Sequence, residues 1–511
     1  MRNVLLITAD QWRADSLSAV GHPLVRTPHL DRLAAEGVLF RRHYAQATPC
    51  APSRASLHTG LYQHNHRLVV NGAVLDRRHA NVALEARKMG YRPGFLGYTD
   101  VAADPRVLAP GDPELRRSDG ILPGMEPLLR MDNEQSQWCA FLRDRGYALG
   151  EDPEAPFRPA ADATYGDGPL PPALYEAEHS LSGFLVDGTI EQLKKQKDRP
   201  WFLHLSIYPP HPPFIAAAPF NGLTDPAAVD LPARRATPEE EARQHPYLGY
   251  YLWHQQGNRM WPAWPEEDRL AFSDLQVRQL RAAYYGLISE VDAQLGRLMA
   301  FLKERGLYDE TLIVFTSDHG EQLGEHWMFA KYSYFEPTYA IPLIVRDPRP
   351  GGARGRVVED FSESVDIMPT ILEWIGAPIP PQCDGRSLVP YLQGDVPSAP
   401  RAEVHWSFDF RDLAEKAGRP VLGLTPETSS MMGMRDERYK YVHFAGLPPV
   451  FFDLQEDPDE FHNLAGDPAH AARVMDYAQR LLSWRMARDD RTLSHLRITE
   501  SGLVDVMASG S

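Results

Sequence analysis

The chain has 511 residues, with 53 Lys and Arg against 69 Asp and Glu, which gives a formal net charge of −16. This charge argues against a nucleic-acid-binding protein, because such proteins need a basic surface to neutralise phosphates. It argues only weakly against binding to an anionic membrane. Three cysteines are too few for a disulfide-stabilised scaffold.

The sequence pattern predicts neither a transmembrane helix nor a signal peptide. No apolar run approaches the roughly 18 residues that a transmembrane helix needs. The apolar segment 4–9 is too short for a signal peptide and runs directly into Asp10. We therefore expect a cytoplasmic protein that binds neither membranes nor nucleic acid.

The first half of the chain alternates between apolar runs, helical patterns and long loops. Segment 4–9 is continuously apolar, which is typical of a strand buried on both faces of a parallel sheet. Apolar spacing predicts, in order, helices over 30–40, 55–63 and 80–89, a strand over 91–98, a helix over 134–145 and a strand over 201–208. Segments 101–182 and 209–270 are rich in turn-forming residues and are predicted to be mainly loops.

The second half changes character near residue 385. An apolar stripe predicts a long helix over 273–305, and apolar runs predict strands over 311–316 and 341–345. The alternation indicates an α/β domain over 1–385, with a mostly parallel central sheet flanked by helices. Strands over 404–410, 430–435 and 438–444 and a helix over 468–485 then indicate a smaller α+β domain with an antiparallel sheet over 386–511.

Two predicted strands are each followed by residue types that can bind a metal ion. Asp10-Gln11 follows the first strand, and Asp318-His319 follows the strand over 311–316. Because sites in open α/β sheets form at the carboxyl ends of strands, these side chains can converge on one divalent ion. Mostly oxygen ligands favour Ca²⁺, Mg²⁺ or Mn²⁺. The alternative is that each Asp only caps a turn or a helix.

The segment Cys50-Ala51-Pro52-Ser53-Arg54 is a second candidate site. Pro52 suits a first helical turn, which places Cys50 at a helix N-terminus, where a nucleophile and an anion are stabilised. Arg54 lies one turn further on and can hold an oxyanion or hydrogen-bond the nucleophile. The alternative is that Cys50 is a small buried apolar residue.

This segment also resembles a known signature. Cys50-x-Pro52-Ser53-Arg54, followed by Thr59-Gly60, is similar to the signature of the type I sulfatases of the alkaline phosphatase superfamily. In that family the cysteine is oxidised to formylglycine, and its hydrate is the nucleophile. The resemblance implies an alkaline-phosphatase-like fold and metal ligands at Asp10, Gln11, Cys50, Asp318 and His319. It runs from residue 3 to about residue 465, where Phe452-Asp453-Leu454 to Asn463-Leu464 resembles the family's C-terminal motif.

Within the superfamily, the likeness is greatest to phosphonate monoester hydrolases and the related dimeric arylsulfatases. Gln11 stands where most sulfatases have a second Asp. The resemblance implies that Asn71, Tyr98 and His211 line the substrate pocket and that Lys331 belongs to the catalytic residues.

Asp100 departs from this subgroup's pattern. A Thr is expected after Thr99, and an acid beside an anionic substrate is unfavourable unless Lys331 or the metal compensates it. We therefore place Asp100 among the candidate substrate-binding residues, as the one that bears on the preferred substrate.

The resemblance also implies a mechanism. One oxygen of the formylglycine hydrate at residue 50 binds the metal and attacks sulfur or phosphorus in line, giving a covalent intermediate with S–O cleavage in the sulfate case. Arg54, Lys331, His211 and the metal stabilise the equatorial oxygens, and either His211 or Lys331 protonates the leaving alcohol. The second hydroxyl of the hydrate then expels the product and regenerates the aldehyde.

We expect metal-dependent hydrolysis of sulfate esters, placed slightly ahead of phosphonate monoester or phosphodiester hydrolysis at the same site. Ca²⁺ or Mn²⁺ is the expected ion, with Mg²⁺ as a further choice. Two alternatives stay open: a two-metal phosphomonoesterase or mutase, and a non-catalytic anion-binding protein in which Cys50 stays a thiol.

Three kinds of partner follow from this hypothesis. They are a small-molecule sulfate or phosphonate ester, a formylglycine-generating enzyme, and further copies of the chain in a dimer or tetramer. The tail over 489–511 carries apolar residues among polar ones and is the segment expected to contact a neighbouring subunit.

Overall fold

The computed structural model describes residues 2–159, 163–196, 200–254, 260–261, 269–411, 421–490 and 492–505. Its strands are β1 Asn3–Ala9, β2 Val38–Tyr44, β3 Ala47–Thr48, β4 Gly94–Gly97, β5 Glu126–Arg130, β6 Phe202–Ile207, β7 Thr311–Thr316, β8 Ala340–Arg346, β9 Arg356–Glu363, β10 Val404–Asp409, β11 Ser430–Arg435, β12 Tyr439–Phe444, β13 Val450–Asp453, β14 Leu496–Thr499 and β15 Gly502–Asp505. Its α-helices are α1 Pro28–Ala35, α2 Cys50–Thr59, α3 Gln63–His66, α4 Val82–Lys88, α5 Ser136–Asp144, α6 Leu181–Lys195, α7 Pro238–Ala242, α8 Pro246–His254, α9 Asp274–Glu304, α10 Glu336–Tyr339, α11 Ile367–Ile375, α12 Val389–Leu392 and α13 Ala471–Ala487.

The large sheet has eight strands in the order β5-β4-β6-β1-β7-β8-β2-β9. Strand β1 lies between β6 and β7 and pairs with both in parallel register, so that Leu6 faces His204 on one side and Val314 on the other. Only β8 runs against its two neighbours. The mostly parallel central sheet is therefore confirmed, and β1, β4, β6 and β7 end at one common edge.

Helices cover both faces of this sheet, as its fully buried strands require. Successive residues of β1 point to opposite faces. Leu5 and Ile7 pack in one apolar core with the buried stripe of α9, whereas Val4 and Leu6 pack in another with residues of α2, α4 and α11. Helix α9 begins at a capping box formed by Ser273 and Gln276.

The predicted strands over 4–9, 201–208, 311–316 and 341–345 are confirmed within one or two residues. The helix predicted over 30–40 is wrong in its second half, because α1 ends at Ala35 and Val38 begins β2. Gly37 separates the two elements, and a Cβ there would lie 2.5 Å from the carbonyl oxygen of Val345 on β8. Pairing with β8 and β9 thus makes residues 38–44 a strand and not a continuation of α1.

A second, smaller sheet has the order β13-β12-β11-β10-β3 and is antiparallel from β10 to β13. Helix α13 packs on it through Tyr477 and Leu481. Its edge strand β3 comes from the N-terminal part of the chain and pairs in parallel with Ser407 and Phe408 of β10. The division at residue 385 stays a prediction, since β3 shows that this sheet is not built from later residues alone.

Edge strand β5 and helix α6 were not predicted, and β5 lies inside a segment expected to be mainly loop. In the part of the chain that the structure describes, none of the helices has the length and apolar character needed to cross a membrane.

Candidate active site

The end of β1, the end of β7 and the start of α2 meet at the common edge of the large sheet. Asp10 directly follows β1, Asp318 and His319 follow β7, and Cys50 is the first residue of α2. One ligand atom from each of these four buried residues lies within 4.8 Å of the others. The arrangement is the one expected of parallel strands that end at the same edge.

Cys50 lies at the centre of this group. Its sulfur is 3.1 Å from Nζ of Lys331, 3.3 Å from Nε2 of His319 and 3.9 Å from Oδ1 of Asp10. Burial, and then the Asp10 carboxylate, raise the pKa of the Cys50 thiol well above its ordinary value. An unmodified Cys50 is therefore a neutral thiol at neutral pH and a weak nucleophile.

Arg54 joins the two carboxylates. Its Nη2 donates to Oδ2 of Asp10 at 3.2 Å, and its Nε donates to Oδ2 of Asp318 at 2.9 Å. The remaining donors reach the Ser206 hydroxyl and two oxygens of Tyr98. All five N–H groups of the guanidinium are thus engaged within the protein, so that Arg54 orients the carboxylates here and has no donor left for an ester oxyanion.

The two carboxylates differ in electrostatic environment. Burial opposes ionisation of Asp10, but His211, Lys331, His319 and Arg54 together hold the pKa of its carboxyl below the usual range. Burial, and then the neighbouring Asp10 carboxylate, raise the pKa of Asp318. Two carboxylates so close together are a natural site for a cation.

His319 presents one nitrogen to the group. Its Nδ1 donates to the carbonyl of Gly320 at 3.0 Å, so its Nε2 carries the lone pair that faces Cys50 and Asp10. Burial, and then the charge of Lys331, lower the pKa of His319 to about 3, which keeps the imidazole neutral. A neutral imidazole whose second nitrogen is held by a backbone carbonyl is typical of a metal ligand.

Gln11 and Lys331 are also buried at the site. Nζ of Lys331 donates to Oε1 of Gln11 at 2.7 Å, while Nε2 of Gln11 donates to Oε2 of Glu321. Burial disfavours the charge of Lys331, but the neighbouring Asp10 carboxylate raises its pKa above the ordinary value. The ammonium group is therefore charged and lies beside residue 50.

The four other pocket residues surround this centre. The Tyr98 hydroxyl donates to Asp10, and its ring lies 4.1 Å from the guanidinium carbon of Arg54. Asn71 is exposed, and its Oδ1 accepts from the backbone N–H of Ala51, which caps the start of α2. Tyr98 thus belongs to the carboxylate network, and Asn71 holds the first turn of α2, which begins at Cys50.

Burial shifts the pKa values of His211 and Asp100 in opposite directions. Nδ1 of His211 donates to the carbonyl of Pro212 at 2.7 Å, and burial, followed by Lys331, lowers the pKa of His211 to about 3. Burial raises the pKa of Asp100 to about 6, although Arg54 acts in the opposite direction. The backbone of Asp100 has a positive φ of 54°. At neutral pH His211 is therefore neutral, and the lone pair on its Nε2 can accept a hydrogen bond.

Sequence reasoning gave no role to two residues that the structure places in the network. Ser206 accepts from Arg54 at 2.7 Å and lies near the end of β6, where the rule on strand ends could have found it. Gly97, with a φ of 104°, allows the chain before Tyr98 to pass close to it, since a Cβ there would lie 1.9 Å from the Ser206 carbonyl oxygen. The second residue is Glu321, whose carboxylate accepts from Gln11. Its position three residues after Asp318 is the feature of the sequence that could have indicated a place in the site.

Two protein-family models match this chain. The model of the family described as Sulfatase matches residues 2–377. A second model, described as the C-terminal part of N-sulphoglucosamine sulphohydrolase, matches residues 324–487.

Individual relatives are similar to this protein over nearly the whole length of the chain. The multifunctional alkaline phosphatase superfamily protein PehA of Trinickia caryophylli is 43% identical over 508 residues, with 98% of each chain covered. The crystal structure of the phosphonate monoester hydrolase of Agrobacterium radiobacter is 43% identical and superposes with a TM-score of 0.94 over 99% of each chain. An arylsulfatase of Clostridium perfringens is 25% identical over 500 residues, which cover 94% of this chain and 93% of that protein.

The superposition confirms the alkaline-phosphatase-like α/β fold with a smaller C-terminal region built on an antiparallel sheet. The chain is therefore a hydrolase of the sulfatase family within the alkaline phosphatase superfamily, with phosphonate monoester hydrolases among its near relatives and arylsulfatases among its more distant ones.

Proposed function

We propose that the protein hydrolyses phosphonate monoesters, with sulfate esters and phosphodiesters as further substrates of the same site. The observation that carries this is the position of Cys50, which lies at the start of α2 between the Lys331 ammonium, the His319 imidazole and the Asp10 carboxylate. The sequence alone placed sulfate esters first. A phosphonate monoester hydrolase that is 43% identical over 99% of the chain favours the opposite order.

The donor set fits one divalent cation. Asp10 and Asp318 offer carboxylate oxygens, Gln11 an amide oxygen and His319 the lone pair of Nε2, all from buried side chains. Mostly oxygen donors favour a hard cation, and we propose Ca²⁺ or Mn²⁺, with Mg²⁺ as a further choice. In the described part of the chain, one group of such ligands is found. Arg54 and Lys331 occupy the cationic region where a two-metal phosphomonoesterase would hold its second ion.

We further propose that Cys50 is oxidised to formylglycine, since its buried thiol is a weak nucleophile. A hydrated formylglycine supplies a nucleophilic hydroxyl, and a divalent cation lowers the pKa of that hydroxyl and draws charge from the ester oxygens.

The chain's own residues stabilise charge, position the carboxylates and supply a proton. The N-terminus of α2 and the Lys331 ammonium stabilise the negative charge of the ester group at residue 50. Arg54 keeps Asp10 and Asp318 in place. At neutral pH Lys331 carries a proton and His211 does not, so we assign protonation of the leaving alcohol to Lys331 and leave to Nε2 of His211 the role of a hydrogen-bond acceptor.

A panel of matched aryl esters tests the substrate order. The phosphonate monoester, the phosphodiester and the sulfate ester share one leaving group, so that kcat/KM compares the recognised anion alone. We expect the phosphonate monoester to be hydrolysed fastest. The Cys50→Ser variant should lose turnover on all three esters, because serine offers no second hydroxyl to expel the bound product. Steady multiple turnover by that variant would contradict the formylglycine mechanism.

The mass of the peptide that contains residue 50 tests the modification. Protein from its native source should carry an aldehyde in place of the thiol. An unmodified Cys50, together with ester binding without turnover, would favour the alternative of a non-catalytic anion-binding protein.

The assembly is a separate proposal. The hairpin of β14 and β15 exposes Ile498 and Leu503, which are 90% and 67% accessible, and this supports a contact with a second copy in a dimer or tetramer. Light scattering on a chain that ends at residue 488 checks it, since an unchanged oligomer would exclude the tail as the contact.

A further inference from the structure

The carboxylate of Glu321 is buried without contact to solvent, in the loop that follows β7. Its Oε1 accepts from the backbone N–H groups of Leu323 at 2.9 Å and Ala330 at 2.5 Å. Its Oε2 accepts from Nε2 of Gln11. An ionised carboxylate only accepts hydrogen bonds, so these three partners all present N–H groups to it.

The contact with Gln11 determines which way its amide faces. An amide has one accepting and one donating end, and the carboxylate of Glu321 can pair only with the donating end. Oε1 of Gln11 must then face the other way, where it accepts from Nζ of Lys331 at 2.7 Å. A turned amide would bring oxygen against the carboxylate and NH₂ against the ammonium, and both contacts would repel.

Glu321 also fixes the loop that carries Lys331. Its Oε1 accepts from Ala330, the residue before Lys331, and the backbone N–H of Gln322 donates to the Ala330 carbonyl at 2.9 Å. One carboxylate therefore sets both the orientation of Gln11 and the backbone position from which Lys331 reaches Cys50.

We propose that Glu321 is a positioning residue, which holds the amide oxygen of Gln11 toward the cation site and Lys331. The inference rests on the proposed function, because it treats the Gln11 oxygen as part of that cation site. Glu321 acts through Gln11 and Lys331 and does not itself touch the reacting atoms.

Reciprocal exchange of the two side chains tests this orientation. In Glu321→Gln, the new amide oxygen keeps both backbone contacts, and its NH₂ group faces Gln11. Gln11 then turns its own oxygen toward residue 321 and its NH₂ toward Lys331. In the double variant Gln11→Glu/Glu321→Gln, the amide at 321 donates to the carboxylate at 11, whose second oxygen again faces Lys331. The total charge of the pair is unchanged by the exchange.

Mn²⁺ titrated into metal-stripped protein, followed by calorimetry, gives the first measurement. We expect Glu321→Gln to weaken Mn²⁺ binding by about 10–100-fold, as for other residues that orient a metal ligand. The double variant should recover most of that loss. Glu290→Gln makes the same chemical change at a buried carboxylate on α9, which accepts from the backbone of Ala217, and it should bind Mn²⁺ like the wild type.

Thermal unfolding and ester hydrolysis complete the test. All variants should unfold cooperatively, and kcat should follow the order of Mn²⁺ affinity. Wild-type Mn²⁺ affinity in Glu321→Gln, or a double variant no better than the single one, would overturn the proposal. Failure of the proposed function is distinguishable, because a wild-type protein that hydrolyses none of the esters would still show the reciprocal pattern in Mn²⁺ binding.

Discussion

The ammonium of Lys331 lies 3.1 Å from the sulfur of Cys50, and both side chains are almost completely buried. A charged group in such an environment acts on its neighbour with little screening by solvent. The pair therefore concentrates positive charge where an ester anion would meet residue 50, in a protein whose net charge is −16.

Replacing Lys331 by Met keeps an unbranched side chain that is one atom shorter and removes the charge. We expect kcat/KM to fall by about 10²–10³-fold for every ester, because a buried charge that stabilises the transition state is lost. Steady-state kinetics measures this. Lys303→Met on the surface of α9 is the matched control and should keep wild-type rates. A smaller loss than tenfold would exclude Lys331 as a major contributor.

Arg54→Lys tests the bridge between Asp10 and Asp318. Lysine offers three donors on one nitrogen and cannot replace the five donors of the guanidinium. We expect a loss of about 3–5 kcal/mol in the free energy of unfolding, since two buried carboxylates lose much of their compensation. Urea denaturation with and without Mn²⁺ measures it, and Mn²⁺ should stabilise the variant. Arg87→Lys at the exposed pair with Glu126 provides the comparison and should change little.

Glu290 makes stability depend on pH. Burial raises the pKa of Glu290 to about 7 from its ordinary value of 4.5, so the folded chain keeps a proton that the unfolded chain releases. Folded protein thus binds more protons between these values, and stability falls as pH rises from about 5 to about 7, by an amount on the order of 3 kcal/mol. Glu290→Gln should remove this part of the decline. Urea denaturation across that range measures the slope, and an unchanged slope would contradict the assignment.

The buried pair of Lys440 and Glu460 links the small sheet to the segment after Lys331. Lys440 donates to the carbonyl of Tyr334 at 2.8 Å, and Glu460 accepts from the backbone of Glu336 at 2.9 Å. Glu460→Gln removes the carboxylate that pairs with the buried Lys440, and we expect a loss of about 3–5 kcal/mol in unfolding free energy.

The control for this pair is Arg438→Gln, which breaks a half-exposed ion pair with Asp453 and should change the free energy of unfolding much less. Both values come from urea denaturation. Equal losses in the two variants would show that burial of the Lys440 pair does not matter.

The sequence predicted the edge of the sheet well, because local pattern and global position agree there. Segments 4–9 and 311–316 are continuously apolar, and each ends in metal-binding side chains, which a parallel sheet brings together. Residues 38–40 were misassigned because three apolar residues after a helix fit either conformation, and only pairing with β8 and β9 decides between them.

The finer contacts of the site were beyond sequence reasoning. That all five donors of Arg54 are taken depends on where Ser206 and Tyr98 lie relative to it. The role of Glu321 depends on which end of the Gln11 amide it meets. Both are matters of orientation at distances of a few ångström between residues far apart in the chain, and no spacing of residue types encodes them.

The two residues of β3 have a consequence for the order of events during synthesis. They pair with Ser407 and Phe408, and Cys50 follows two residues later with 5% of its surface exposed. The proposed oxidation of Cys50 requires access to this side chain, so we expect it to occur before β3 pairs with β10. More than 350 residues separate β3 from β10. At about 5–20 residues per second, the ribosome therefore needs tens of seconds after residue 50 to synthesise β10, and we expect the modification to fall within that interval.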